Sequence, residues 1–251
     1  MDGHLLIGRS ARDAARAWGA LALLAAGCWV VTIHEAHAMG SGPGTMGMAF
    51  PLFIAVWLAM MAAMMLPAIG PAATGRSATL PRAMAFGAGF LVPWAAYGAA
   101  AFAALSAVAR LVDASPTAAR WLGVGILAVA GVYQLSPWKV GAVAHCRMPQ
   151  HGDDVGGIAD GFVAGISDGA VCVGCCWALM MVLIAVGAMN VVAMAGLSGV
   201  IFAEKIAPAP RLVARLAGVV LLSLAIVAAF HPAFLHGVTP MQAGRMSMGG
   251  M

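Results

Sequence analysis

Charged and aromatic residues are scarce in this 251-residue sequence. Charged residues make up 9% of the chain and aromatic residues 7%, whereas 63% are apolar and the mean hydropathy is +0.95. Soluble domains carry about 25% charged and about 45–50% apolar residues, so this composition excludes a water-soluble globule. A disordered chain is excluded as well, because disorder needs low hydrophobicity and high charge. The expected solvent is therefore a lipid bilayer.

Motifs of several familiar function classes are also missing. No internal repeat of the transporter type stands out, and the glycine-rich residues 152–161 do not form a phosphate-binding loop. The sequence shows no ATPase domain, so active pumping would need another energy source. The net charge of +4 does not indicate a nucleic-acid partner, because basic residues in a membrane protein mostly report its orientation.

Seven apolar runs predict an all-α, polytopic transmembrane helix bundle of about seven helices. At about 20 apolar residues per crossing, the runs cover residues 18–33, 50–70, 84–109, 121–135, 162–186, 190–203 and 212–230. Polar residues 136–160 predict the longest loop. The expected domains are a cytoplasmic N-terminal leader at 1–17, a transmembrane helical domain at 18–230 and an outer tail rich in Met and His at 231–251. Six crossings are the alternative, with the fifth or sixth run as a re-entrant segment.

The basic residues predict the orientation of this bundle. With seven crossings and the N-terminus inside, ten Arg and Lys residues fall on the inner side and three on the outer side. The positive-inside rule therefore favours an inner N-terminus and an outer C-terminus.

Methionine is abundant, with 18 copies in the chain. Met and Cys are soft donors that suit Cu(I), while His suits several transition metals. The predicted orientation places His34, His37, Met46 and Met48 in the first outer loop, on the same face as the C-terminal tail. These segments are candidate low-affinity collectors of metal ions, and compositional drift is the alternative interpretation.

The second apolar run contains two pairs of methionines at helical spacing. Met60 lies four residues before Met64, and Met61 four before Met65, so each pair stacks on one helix face. Thioethers are neutral and polarizable, and they can ligate a soft cation within a bilayer. The alternative is that these side chains are flexible packing filler.

The fifth apolar run carries the strongest signal in the sequence. Steps of three and four residues put Asp168, Cys172, Cys175, Cys176 and Met180 in one stripe of a helix. A carboxylate within a bilayer is costly and normally faces an interior partner or cavity. The cluster predicts a metal or redox role, whereas a single Cys would be an unremarkable small apolar residue.

The sixth apolar run has candidate groups at both ends. Met189 and Met194 lie near its outer end, where they would form the outer mouth of a metal path. Its inner end carries Glu204 and Lys205, which are either a membrane-end anchor or a pair that neutralises an internal charge such as Asp168.

The long inner loop supplies His145, Cys146 and Met148. Neighbouring imidazole, thiol and thioether groups could receive or release a metal ion on the cytoplasmic side. A single loop His or Cys is more often inert.

Three segments carry a family resemblance, namely residues 57–67 (WLAMMAAMMLP), 133–146 (YQLSPWK…C) and 172–205 (CVGCCWALMM…GAMN…EK). With these motifs the sequence resembles a bacterial family of predicted metal-binding integral membrane proteins, the domain of unknown function DUF2182. The resemblance implies metal binding in a multi-pass protein of the bacterial inner (plasma) membrane. It does not supply the metal, so the choice of copper rests on ligand chemistry.

The leading hypothesis is a membrane metal-handling protein, not an enzyme, that binds Cu(I) or another soft metal. It would transport the ion or deliver it to a periplasmic or membrane cupro-protein. One alternative is a membrane thiol–disulfide oxidoreductase that uses Cys172 and Cys175 as a C-x-x-C pair. Another is a structural subunit of a membrane complex with inert thiols.

Overall fold

The computed structural model describes residues 3–39, 44–45, 47–73, 79–147, 157–231 and 235–238, and within these ranges it is all-helical, as predicted. Met46, Met148 and tail residues 239–251 lie outside the described residues. The helices are α1 (Gly3–Met39), α2 (Phe50–Ala73), α3 (Leu80–Ala114), α4 (Pro116–Leu135), α5 (Pro137–Arg147), α6 (Ile158–Val186), α7 (Val191–Ile206) and α8 (Pro210–Phe230).

Six of the described helices, α1, α2, α3, α4, α6 and α8, are long and apolar enough to cross a bilayer. The seventh predicted crossing corresponds to α7, which has 16 residues. At about 1.5 Å per residue this helix is about 24 Å long, shorter than the roughly 30 Å hydrocarbon core. Helix α1 starts at Gly3, so the predicted leader runs into the first span without a break. The crossing by α7 and the orientation stay predictions.

The prediction of a continuous loop at residues 136–160 was wrong, because α5 occupies Pro137–Arg147. The Ser136 side chain accepts a hydrogen bond from the backbone N–H of Lys139 (3.2 Å), and Pro137 is the first helical residue. A serine cap followed by proline is a favoured helix start. The polar composition of this segment hid that local signal.

Helices α2 and α6 form the centre of the bundle. Inside the bundle, 67% of the α2 span and 61% of the α6 span are buried, against 22–33% for the other four candidate spans. Helix α6 packs closely on α3, because a Cβ at Gly165 would overlap the Phe86 carbonyl and one at Gly89 the Phe162 carbonyl. Small residues at a helix contact let backbones approach closely. The cysteine-bearing helix is therefore held tightly by its neighbour.

Two tyrosines fix the middle of α6 by hydrogen bonding to its backbone. The Tyr97 hydroxyl of α3 donates to the Trp177 carbonyl (2.9 Å), and the Tyr133 hydroxyl of α4 donates to the Gly174 carbonyl (2.7 Å). The two carbonyls directly flank Cys175 and Cys176 on α6. The two hydrogen bonds fix the position of α6 along its axis, so that its thiols lie beside the C-terminal end of α4, where α5 begins.

Candidate metal centre

Four of the five cysteines meet where α5 crosses α6, and we call this group the thiol centre (Cys146, Cys172, Cys175 and Cys176). The Cys175 sulfur lies 3.2 Å from the Cys176 sulfur and 3.4 Å from the Cys146 sulfur. The Cys172 and Cys176 sulfurs are 4.0 Å apart. All four are free thiols, and the three on α6 are at most 3% exposed. Cys146 alone among them is partly exposed.

The spacing of these sulfurs matches that of ligands around one metal ion. Three sulfurs in a plane, each about 2.3 Å from a common ion, lie about 4 Å from one another. The sulfurs of Cys146, Cys172 and Cys175 all lie within 4.8 Å of each other. Among the described residues, this is the group of Cys, His, Asp and Glu side chains close enough to hold an ion. Its donors are all soft.

A buried ion pair joins α5 to α7 beside the thiol centre. The Lys139 ammonium lies 2.7 Å from the Glu204 carboxylate, with 0% and 2% of the two side chains exposed. Lys139 also donates to the Cys175 carbonyl (2.8 Å), and the Gln134 amide donates to the other Glu204 oxygen (2.7 Å). A buried charge is tolerated only when it is paired and hydrogen-bonded. The ends of α4, α5 and α7 therefore share one polar network around Glu204.

Arg147 holds the other end of α5 against α7. Its guanidinium donates to the carbonyls of Glu204 (3.1 Å) and Ala207 (2.7 Å). The last carbonyls of a helix have no intrahelical partner, so Arg147 satisfies two acceptors at the end of α7. With both ends of α5 anchored, Cys146 is held next to α6.

Lys205 is the cation nearest to the thiols. Its ammonium lies 3.4 Å from the Cys172 sulfur and 5.7 Å from the centre of the Phe90 ring. A cation over an aromatic face is attracted by the ring, which orients the lysine toward Cys172. A positive charge at this distance stabilises negative charge that a metal–thiolate group places on the sulfur.

Two titratable groups of α5, which is not among the six candidate spans, have shifted pKa values. Contact with the Cys172 thiol raises the pKa of Cys146 to about 11, so this thiol keeps its proton at neutral pH. Burial alone would lower the pKa of Lys139, but the nearby Cys176 and Glu204 raise it above its ordinary value. Lys139 is therefore a permanent cation in this network.

The predicted methionine ligands of the second, fifth and sixth apolar runs are buried in the same core as the cysteines. Met60, Met61, Met64 and Met65 of α2 are at most 1% exposed, and Met180, Met189 and Met194 are at most 5% exposed. Helices α2 and α7 meet where Ser198 donates to the Met64 carbonyl (3.4 Å). This burial suits both thioether ligation and simple packing.

The carboxylate and imidazole ligands predicted from the sequence are not part of the group formed by Cys146, Cys172 and Cys175. Asp168 is partly exposed on α6, and His145 is exposed on α5 beside Cys146. His34 and His37 are exposed on the last turns of α1 rather than in a loop, while Met48 is buried.

The charged residues of the centre were underrated by the sequence interpretation. The sequence suggested Glu204 and Lys205 as a membrane-end anchor or as a pair that neutralises Asp168. Lys139 was counted only among the basic residues of the inner side. The chain has just two lysines, Lys139 and Lys205, and both contact the thiol centre. Their rarity among 13 basic residues was the signal that could have identified them.

The fold and the site together define the class of protein. It is a bundle of long apolar helices that carries a candidate site for a soft metal ion at buried thiols. Residues 54–228 match the model of the PpoB2 family, described as copper chaperone. The match covers more than half of the 251-residue chain, from α2 to α8 and including all four thiols. The protein therefore belongs to this copper chaperone family. No curated protein and no solved structure matches the chain.

Proposed function

We propose that this protein binds Cu(I) at the thiol centre and delivers it to a cupro-protein at the membrane. The observation that carries the proposal is the convergence of Cys146 with the three cysteines of α6, at sulfur distances of 3.2–4.0 Å. Thiolates select Cu(I), zinc and iron–sulfur clusters among biological metals. Membership of a copper chaperone family favours copper among these.

The charges around the thiols suit a cuprous ion. Lys139 and Glu204 compensate each other, so Lys205 is available to balance charge at the sulfurs. A Cu⁺ ion bound by two thiolates carries one negative charge, which a single ammonium neutralises. A buried charge without a partner costs several kcal/mol. The centre is thus suited to two strong thiolate bonds, with further thiols close by.

Delivery is favoured over transport by the family's description as copper chaperone. In this proposal the site of action is the bacterial inner membrane, and the acceptor is a membrane cupro-protein that contacts the α5 side of the bundle. The predicted orientation puts that side on the cytoplasmic face, which disfavours the periplasmic acceptor considered from the sequence. The buried methionines of α2, α6 and α7 serve as weaker thioether ligands through which the ion reaches the thiols. The resemblance to DUF2182 belongs to the same proposal, because both descriptions concern metal-handling proteins.

The test is anaerobic titration of the reduced, detergent-purified protein with Cu(I) in competition with a coloured chelator. We expect one tightly bound Cu(I) per chain, and loss of that ion in a Cys172→Ser/Cys175→Ser variant. The Cys28→Ser variant is the matched control, because Cys28 lies on α1 and is not part of the thiol centre. Binding that survives loss of both α6 cysteines would contradict the proposal.

The oxidoreductase alternative makes a different prediction for the same protein. It requires a Cys172–Cys175 disulfide that cycles with a quinone and needs no bound metal. Mass spectrometry after alkylation separates the two, because a copper site keeps both thiols reduced.

A further inference from the structure

The thiol centre contains more sulfur ligands than one cuprous ion needs, and they differ in accessibility. Cys172, Cys175 and Cys176 all lie on α6 and are 0–3% exposed. Cys146 lies on a different helix and is partly exposed. The four sulfurs form two triangles on the shared edge Cys172–Cys175, one completed by Cys176 and the other by Cys146. One triangle is thus closed inside the bundle, and the other reaches the surface of the bundle at Cys146.

We infer that Cys146 is the exchange ligand, which moves bound Cu(I) from the buried α6 thiols to an external acceptor. This inference rests on the proposed copper site and adds a direction to it. The ion rests on the α6 cysteines, and Cys146 displaces Cys176 to bring the ion to the partly exposed edge. An acceptor that presents a thiol or thioether then binds the ion there.

The exchange is a ligand substitution without a change in oxidation state. A bond forms between copper and the Cys146 sulfur, and the bond between copper and the Cys176 sulfur breaks. The Cys146 proton passes to the released Cys176 sulfur, so the charge of the centre does not change. The path is short, because Cys175 lies 3.4 Å from Cys146 and 3.2 Å from Cys176.

The anchoring of α5 supports this role. Lys139 and Arg147 fix the two ends of the helix to Glu204 and the end of α7. Cys146 is therefore already in place when copper arrives, and its approach needs no large movement of the helix. Preorganised contact of this kind accelerates a substitution step.

The test uses the full-length protein loaded with Cu(I) and measures transfer to bathocuproine disulfonate, a charged chelator that stays in water. We expect Cys146→Ser to bind one Cu(I), because the α6 triangle is intact, and to release it more than about tenfold more slowly than the wild type. Cys176→Ser keeps the open triangle, so it should release copper at least as fast as the wild type. Cys28→Ser should match the wild type.

Release from Cys146→Ser at the wild-type rate would overturn the inference, and so would loss of bound copper in that variant, since Cys146 would then be a retaining ligand. Slow release from Cys176→Ser as well would also overturn it. Failure of the proposed function gives a different result, in which the wild-type protein binds no Cu(I) at all. A circular dichroism spectrum and a melting curve for each variant separate unfolding from slow exchange.

Discussion

Replacement of Glu204 by Gln should destabilise the protein strongly, because it removes the carboxylate that pairs with a fully buried lysine. Lys139 and Glu204 are 2.7 Å apart and at most 2% exposed. At an effective dielectric constant of about 20, the attraction at that distance is about 6 kcal/mol. Desolvation offsets part of this, and removal of one partner of a buried pair typically costs about 3–5 kcal/mol.

The assay is chemical or thermal unfolding in a mild detergent, followed by circular dichroism, for a double-mutant cycle. Glu204→Gln should lower the free energy of unfolding by about 3–5 kcal/mol. The double variant Lys139→Met/Glu204→Gln should recover most of this loss, because it leaves no unpaired charge. Asp13→Asn is the control, since the Arg16–Asp13 pair is exposed (77% and 51%) and should contribute less than about 1 kcal/mol.

Two results would refute the reasoning about this ion pair. One is a loss below about 1 kcal/mol for Glu204→Gln, equal to that of the exposed control. The other is strict additivity of the two substitutions, which would mean that Lys139 and Glu204 do not interact.

Three further predictions concern the copper site and the contact between α3 and α6. Lys205→Met should weaken Cu(I) binding about 10- to 100-fold, since a hydrogen bond to a charged group is worth about 1.5–3 kcal/mol. In the chelator competition, Lys205→Arg should retain most of the affinity. Equal affinities of Lys205→Met and the wild type would contradict the role of the charge. Because the pKa of Cys146 is raised to about 11, this thiol keeps its proton while copper rests on the α6 cysteines. Only the α6 thiols then release protons on loading, so the Cu(I) affinity should fall on acidification with the same slope in the wild type and in Cys146→Ser. Potentiometric titration measures both slopes, and a shallower slope in Cys146→Ser would contradict the account, because Cys146 would then bind the resting ion. Gly165→Val should separate α6 from α3 and reduce the yield of folded protein, because the new side chain overlaps the Phe86 carbonyl; an unchanged melting temperature would contradict this packing.

Most of the helical fold could be predicted from apolar runs alone. The second, fourth and eighth helices lie within a few residues of the predicted runs, because a bilayer needs a nearly uninterrupted apolar segment. Helix α5 was missed because it has only 11 residues and carries Lys139, His145 and Arg147 among its apolar residues, and its start is specified by the local cap at Ser136. Periodicity over a long window does not detect a signal of that kind.

Part of the candidate site could be predicted as well, for a related reason. Cys172, Cys175 and Cys176 share a helix, so their spacing alone places their sulfurs together. Cys146 was assigned to a separate exit, because its contact with Cys175 depends on how α5 folds back onto α6. The position of Lys205 depends in the same way on packing between helices, which the spacing of residues does not encode.

The most direct measurement of copper binding by the thiol centre is X-ray absorption at the copper edge of the reduced, Cu(I)-loaded protein. We predict an edge typical of Cu(I) and a first shell of two or three sulfur atoms at about 2.3 Å, the distance of a metal–thiolate bond. The sulfur shell should be lost in the Cys172→Ser/Cys175→Ser variant. A first shell of nitrogen or oxygen atoms in the wild-type protein, or a spectrum unchanged by that double substitution, would contradict copper binding at these thiols.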